Sequence, residues 1–304
     1  MSSHHLSPRL DQIATALRVG FGLVFIIGGW NKLAQLLDPA RVDGILATYM
    51  DPHGYINAFF AEYLFTGRFG DWLTPWSFLT TLSAFELVSG LCILVGLLVR
   101  PLALLWGFLL WTFVMALPVV TAPGVVVNAE TFTAPAMLVQ IRDIGLSGFA
   151  FVIFNLGPGS VSFDRRLFGS WMVDSSANWD ALGLLLRLSV AFPLIVGGAF
   201  AGLAGIQSFG SQALVLVPLG LALLLGIGVR VVAGAALAVL VWYVFGKLSL
   251  DATLIANLNA IKRELAFIAA SLVIVLAGAG QKYALGQWIA ERWNRPGLGV
   301  LRTR

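Results

Sequence analysis

The chain has 304 residues, 59% hydrophobic and only 11% charged, with a mean hydropathy of +0.89. Soluble domains carry about 25% charged residues, so most of this chain belongs in a bilayer. The net charge of +4 comes from cations scattered at helix ends and excludes a nucleic-acid partner, while a single Cys92 excludes an intramolecular disulfide and an iron–sulfur cluster built from this chain alone.

Chain order begins with a polar tail, 1–14, holding His4 and His5. It runs into an apolar segment too long for a signal-peptide core, so the first helix is expected to be retained. A helix needs roughly 17–25 apolar residues to cross a bilayer. Eight runs approach this: 15–36, 76–99, 101–120, 140–156, 183–205, 212–229, 231–248 and 263–280. Arg100 and Arg230 mark tight turns, and Pro101 falls in the first turn of the third span, where its missing N–H costs nothing. The long connection 37–75 contains "GYINAFFAEYLFTGRFGDWLTPW" and His53. Its aromatics and mixed charges predict an amphipathic stretch at the outer interface, either a plain anchor or a lid over a site between helices. A basic tail, 283–304, closes the chain. With no histidine inside a span and no metal-ligand cluster, neither haem nor a metal is expected.

An even number of spans puts both termini on one side. With the N-terminus inside, twelve of the nineteen basic residues are cytoplasmic. That predicts a plasma-membrane protein with N- and C-termini in the cytoplasm.

The chain also repeats itself. "RVGFGLVFIIGG" from Arg18 aligns with "RLSVAFPLIVGG" from Arg187, and "GLCILVGLLVR" ending at Arg100 aligns with "GLALLLGIGVR" ending at Arg230. "RDIGLSGFAFVIFNLGPG" from Arg142 aligns with "RELAFIAASLVIVLAGAG" from Arg263. The fold class predicted is therefore all-α: a polytopic membrane protein of eight transmembrane helices in two parallel four-helix repeats, 15–175 and 183–282. The shared glycines, Gly28 and Gly29 among them, let helix backbones approach closely. Two charges are not shared. Lys32 corresponds to Ala201, and Glu86 to Leu216.

Glu86 lies about ten residues into the second span, roughly 15 Å deep at ~1.5 Å per residue. A carboxylate there is costly unless paired, protonated or facing a cavity. It reads either as a structural partner of Lys32 or Arg142, or as a proton carrier. Lys32 either snorkels to the interface or meets a ligand, with Asn31 to orient a carbonyl and Trp30 as an apolar wall. Arg142–Asp143 and Arg263–Glu264 stand at the expected start of each fourth span. There the acid suits the helix N-terminus and the arginine bridges to a neighbour or grips an oxyanion. Asn128 and Glu130, in the preceding loop, are expected to line the same region.

The blocks "GGWNKL", "FELVSGLCILVGLLVRP" and "IRDIGLSGFAFVIFNLGPGSVSFDRR" together resemble the DoxX-like family, including the DoxD subunits. The likeness covers 18–166 well and the second half in skeleton only. The resemblance implies a membrane component of sulfur or redox metabolism related to thiosulfate:quinone oxidoreductase, in which DoxD works with a separate partner. It implies a membrane quinone as cofactor, Lys32 and Arg142 to attract an anion or the developing quinol oxygen, and Glu86 to carry the proton. Trp30, Asn31, Asp143 and Asn128 would line the substrate site. The other readings are a non-catalytic membrane anchor for a peripheral oxidoreductase, and a small-molecule transporter. A cavity beside Lys32 and Glu86 would favour a ligand site; a closed pair without one would favour structure.

Overall fold

The computed structural model describes residues 8–51, 54–117, 136–169, 177–199, 213–280, 282–286 and 292. These residues are all-helical, with no strand among them. In chain order the helices are α1 (Pro8–Leu36), α2 (Val42–Tyr49), α3 (Ala58–Ala61, continued by a π-turn over Glu62–Thr66), α4 (Pro75–Val95), α5 (Val99–Ala116) and α6 (Ala136–Leu156). They are followed by α7 (Phe163–Phe168), α8 (Trp179–Ala199), α9 (Ala213–Leu225), α10 (Val229–Lys247) and α11 (Leu254–Ala277).

Each of the eight apolar runs is occupied by a helix, but the ends differ. Six helices, α1, α4, α5, α6, α8 and α10, are long and apolar enough to cross a membrane. Over its described length α9 has 13 residues, about 20 Å at ~1.5 Å per residue and short of a ~30 Å hydrocarbon core. Helix α11 is long, 24 residues, yet carries Lys262, Arg263 and Glu264. It begins nine residues before the apolar run read from the sequence. Its first turns, "LIANLNAI", are held by Thr253, whose hydroxyl accepts the Ala256 N–H, a cap that does not depend on hydrophobicity.

Local chemistry sets the other ends. Thr74 and Ser77 form a reciprocal capping box, with Pro75 at the first helical position of α4. The helix stops at Gly96, φ 80°, and the turn needs Leu98 in the left-handed region as well, at φ 52°. Asp164 compensates by accepting the N–H groups of Leu98 at 2.7 Å and Val99 at 2.9 Å, which caps α5.

Helices α1, α6, α8 and α11 form the centre of the bundle. α1 packs on α4 and α11, α6 on α5 and α8, α9 on α8, and α10 on α11. Positions that align between the two halves in sequence make similar helix contacts. A Cβ added at Gly20 of α1 would lie 2.5 Å from Ala269 of α11, and one at Gly145 of α6 would lie 2.7 Å from the Ser189 carbonyl of α8. That carbonyl lacks its helical partner because Pro193 has no N–H. Arg18 donates to the carbonyls of Pro158 and Val161, and Arg187 to those of Lys282 and Tyr283. The flanks α4, α5 and α10 turn apolar side chains outward, including Val88, Leu91, Phe108, Val231 and Trp242. That is the surface expected of helices in lipid rather than water.

Glycine controls the α1–α4 crossing. A Cβ at Gly29 would come within 2.6 Å of the Leu87 nitrogen, and one at Gly90 within 2.8 Å of the Ile26 nitrogen. Backbone atoms cannot yield as side-chain tips do. Gly29→Val is expected to destabilise the bundle by about 1–3 kcal/mol, the usual range for overpacking. Gly44→Val in α2, where an added Cβ meets nothing within 4 Å, is expected to lower thermal stability far less. Thermal unfolding in detergent measures both.

Candidate functional site

A cavity of about 280 Å³ lies between α1, α4, α5, α6 and α11, under the connection 37–74. Its walls are mostly apolar: Val24 and Phe25 from α1, Leu79 and Leu82 from α4, Leu110 and Phe113 from α5, and Leu146 from α6. Phe25 is fixed by stacking on Trp106, with ring centroids 3.7 Å apart. The Trp106 N–H in turn donates to the Ser89 hydroxyl at 3.0 Å.

The connection 37–74 is a cover. Ile45 and Ile56 are buried against Leu36 and Leu79, with Tyr49, Phe60 and Phe65 packed around them. Asn57 secures it twice, by accepting the Phe60 N–H at 3.0 Å and donating to the Ala116 carbonyl at the end of α5 at 2.8 Å. Trp76 donates to the Leu36 carbonyl at 3.0 Å. Tyr49, Tyr55, Ile56, Phe60 and Leu64 face the cavity, while Phe59, Tyr63 and Trp72 are exposed on the other side. One segment therefore covers the cavity with some of its aromatic residues and exposes others. Burial pushes the Tyr49 and Tyr55 hydroxyls above the ordinary phenol range, so both stay protonated.

The polar groups gather on one side. Lys32 and Glu86 form an ion pair, and both line the cavity. The Lys32 ammonium also lies 5.9 Å from the centre of the Tyr49 ring. From α11, Arg263 donates to Asp143 at 3.3 Å and to the Tyr55 hydroxyl at 3.1 Å. Lys262 donates to Asn259 at 2.6 Å. Gly28 sits between these groups: a Cβ there would lie 3.5 Å from Glu86 Oε2 and 3.6 Å from Lys262 Nζ. Of the adjacent glycines, Gly29 serves helix packing and Gly28 borders the site.

The two Arg–acid pairs differ from the sequence reading in place and partner. They lie well inside α6 and α11, not at their N-termini, because both helices start earlier than the apolar runs. They are also exchanged between the halves. Arg142 of α6 pairs with Glu264 of α11 at 3.3 Å, and Arg263 of α11 pairs with Asp143 of α6 at 3.3 Å. Glu264 also holds Lys247 at 3.2 Å.

Lys32, Glu86 and Asp143 thus meet at the cavity. Arg142 is buried beside it without lining it. Trp30 is 55% exposed and Asn31 half-buried, and neither borders the cavity. Asn128, Glu130, His53 and Ala201 lie outside the described residues. Sequence reasoning missed Tyr49, Tyr55, Lys262 and Arg263 as site residues. The "KRE" triplet held the signal for the last two, since three adjacent charges in an apolar helix need partners inside the bundle.

The DoxX family model matches residues 13–122. Over this stretch, about a third of the chain, the protein is similar to the DoxX family. The stretch spans α1, the lid, α4 and α5, and so contains Lys32, Glu86, Tyr49 and Tyr55. The wall formed by Asp143, Lys262 and Arg263 lies beyond it. No curated protein and no solved structure matches the chain. The molecule is a helical membrane protein with six helices long and apolar enough to span a bilayer, and the cavity of its DoxX-like stretch is completed by later helices.

Removing one member of a buried charge pair strands the others, at a cost of about 3–5 kcal/mol. Glu264→Gln leaves Arg142 and Lys247 without their shared carboxylate and is expected to lower the melting temperature strongly. The double variant Arg142→Leu/Glu264→Leu is expected to recover the part of that loss due to Arg142, while Lys247 stays without its carboxylate. A double-mutant cycle by thermal denaturation tests this coupling.

Proposed function

We propose that this protein is the membrane subunit of a quinone-linked oxidoreductase and that its cavity holds the quinone head group. The observation that carries this reading is one cavity combining aromatic walls with a buried ion pair and further donors on one side. A quinone head is a flat apolar ring bearing two carbonyl acceptors. Phe25, Phe60 and Phe113 suit the ring, and Lys262, Arg263 and the Tyr55 hydroxyl offer donors to the oxygens. A volume of about 280 Å³ sits just below the ~300–1,000 Å³ of drug-sized sites, enough for the head but not for an isoprenoid tail.

A bound quinone supplies the acceptor chemistry, taking up two electrons and two protons per reduction. Glu86, ion-paired with Lys32, takes up a proton and passes it on at the cavity edge, and Lys32 stabilises the carboxylate that remains. Asp143 orients Arg263 through its ion pair. Arg142 acts from behind, fixing Glu264 and with it α11. The electron donor implied by the resemblance is thiosulfate or another reduced sulfur compound, brought by a partner oxidoreductase.

In the same proposal the chain is a tandem duplication that crosses the plasma membrane eight times with both termini cytoplasmic. The matched contacts of α1 with α11 and of α6 with α8 support duplication. The inward pairing of Arg263 and Glu264 supports a membrane position for α11, because its charges are not turned to lipid. The distribution of basic residues supports the orientation and places the cavity in the outer half.

Purified protein, with and without its co-purifying partners, is assayed for binding of a short-chain ubiquinone analogue and for thiosulfate-driven quinone reduction. Glu86→Gln is expected to retain binding within a few-fold and to lose turnover by about 10²-fold or more, the usual contribution of a positioned acid or base. Gly28→Leu is expected to block binding by filling the space between Glu86 and Lys262. Wild-type turnover in Glu86→Gln would remove the proton role. Absence of saturable quinone binding would favour the non-catalytic anchor.

A further inference from the structure

We infer that the cavity selects a monoanionic amphiphile, an apolar ring or chain carrying one negative charge, and that Lys262 from the second half of the chain is the partner of that charge. The inference goes beyond the quinone reading, since an oxidised quinone is neutral, and it is tested separately from it.

The argument is one of charge balance at low dielectric. Among the described residues, three cationic side chains line the cavity, Lys32, Lys262 and Arg263, against two carboxylates, Glu86 and Asp143. Lys32 is matched by Glu86 and Arg263 by Asp143. Lys262 is left with the neutral Asn259 as its hydrogen-bond acceptor. Glu264, the nearby acid that might have served it, is already shared by Arg142 and Lys247. Among the described residues, the groups contributed by the lid are phenols, Tyr49 and Tyr55, which carry no charge. An ammonium in an apolar cavity without a counter-charge is strongly disfavoured. Among the groups lining the cavity, one negative charge from a ligand removes the imbalance, whereas a neutral ligand leaves it. The rest of the lining is hydrocarbon and aromatic, so the charge must sit on an otherwise apolar body.

The site is also composite. Lys32 and Glu86 belong to the DoxX-like stretch, and Lys262 lies far outside the matched 13–122. Its counterpart in the first half, aligned on Arg142 and Arg263, is Ile141. The second half therefore adds the selecting charge as well as scaffold.

The test uses the full-length protein in lipid nanodiscs and two probes of equal shape, 2-naphthoate and its neutral amide, 2-naphthamide. Empty nanodiscs report background partitioning. Naphthoate is expected to bind at least ten-fold more tightly than the amide. Lys262→Met is expected to abolish that difference by weakening naphthoate binding, and Lys262→Arg to preserve the preference for the anion. Circular dichroism and thermal unfolding confirm that each variant is folded. Equal affinity of the two probes for the wild type, no saturable binding of either, or an undiminished preference in folded Lys262→Met would overturn the inference. Neither probe is a quinone, so failure of quinone binding with naphthoate preference intact would reject the redox reading alone.

Discussion

The arrangement depends on the exchange of ion pairs between α6 and α11. Arg142 reaches Glu264, and Arg263 reaches Asp143. Each helix carries both signs, so neither neutralises itself and each needs the other. In a bilayer interior the alternative is an unpaired charge costing several kcal/mol. The pairs therefore set how α11 faces α6, and through it how Lys262 and Arg263 face a cavity whose remaining walls come from α1, α4 and α5. Glycine contacts, Gly20 with α11 and Gly145 with α8, let α1 approach α11 and α8 approach α6 closely.

Much of the fold was legible because lipid enforces a simple code. Long apolar runs must be helices, and all eight predicted runs contain one. The helix starts were less legible. Thr253 and the polar turns after it extend α11 well before its hydrophobic stretch, and α6 likewise begins before its predicted start. This moved Arg142–Asp143 and Arg263–Glu264 from helix ends, where a dipole argument applied, to the interior, where only side-chain partners suffice.

The site was legible where the halves differ. Lys32 and Glu86 stood out because their counterparts are uncharged, and the structure brings them together beside a cavity. Trp30 and Asn31 adjoin Lys32 in sequence but not at the cavity, because successive residues of a helix point in different directions. Lys262 was hidden by an opposite effect. Repetition of the Arg–acid motif drew attention to Arg263 and Glu264, and the lysine before them read as part of a helix end. The lid residues Tyr49 and Tyr55 carried no sequence signal, since aromatic residues in an interfacial segment serve equally as anchors.

The corresponding position in the second half has a consequence for stoichiometry. Leu216 stands where Glu86 stands in the first half, and it is fully buried. Under the duplication proposed above, two equivalent receptors would be expected. Here an aliphatic side chain occupies the place of the acid, and Ile141 occupies the place of Lys262. Titration of the intact chain should therefore saturate at one equivalent of ligand, with the second half acting as a permanently vacant partner.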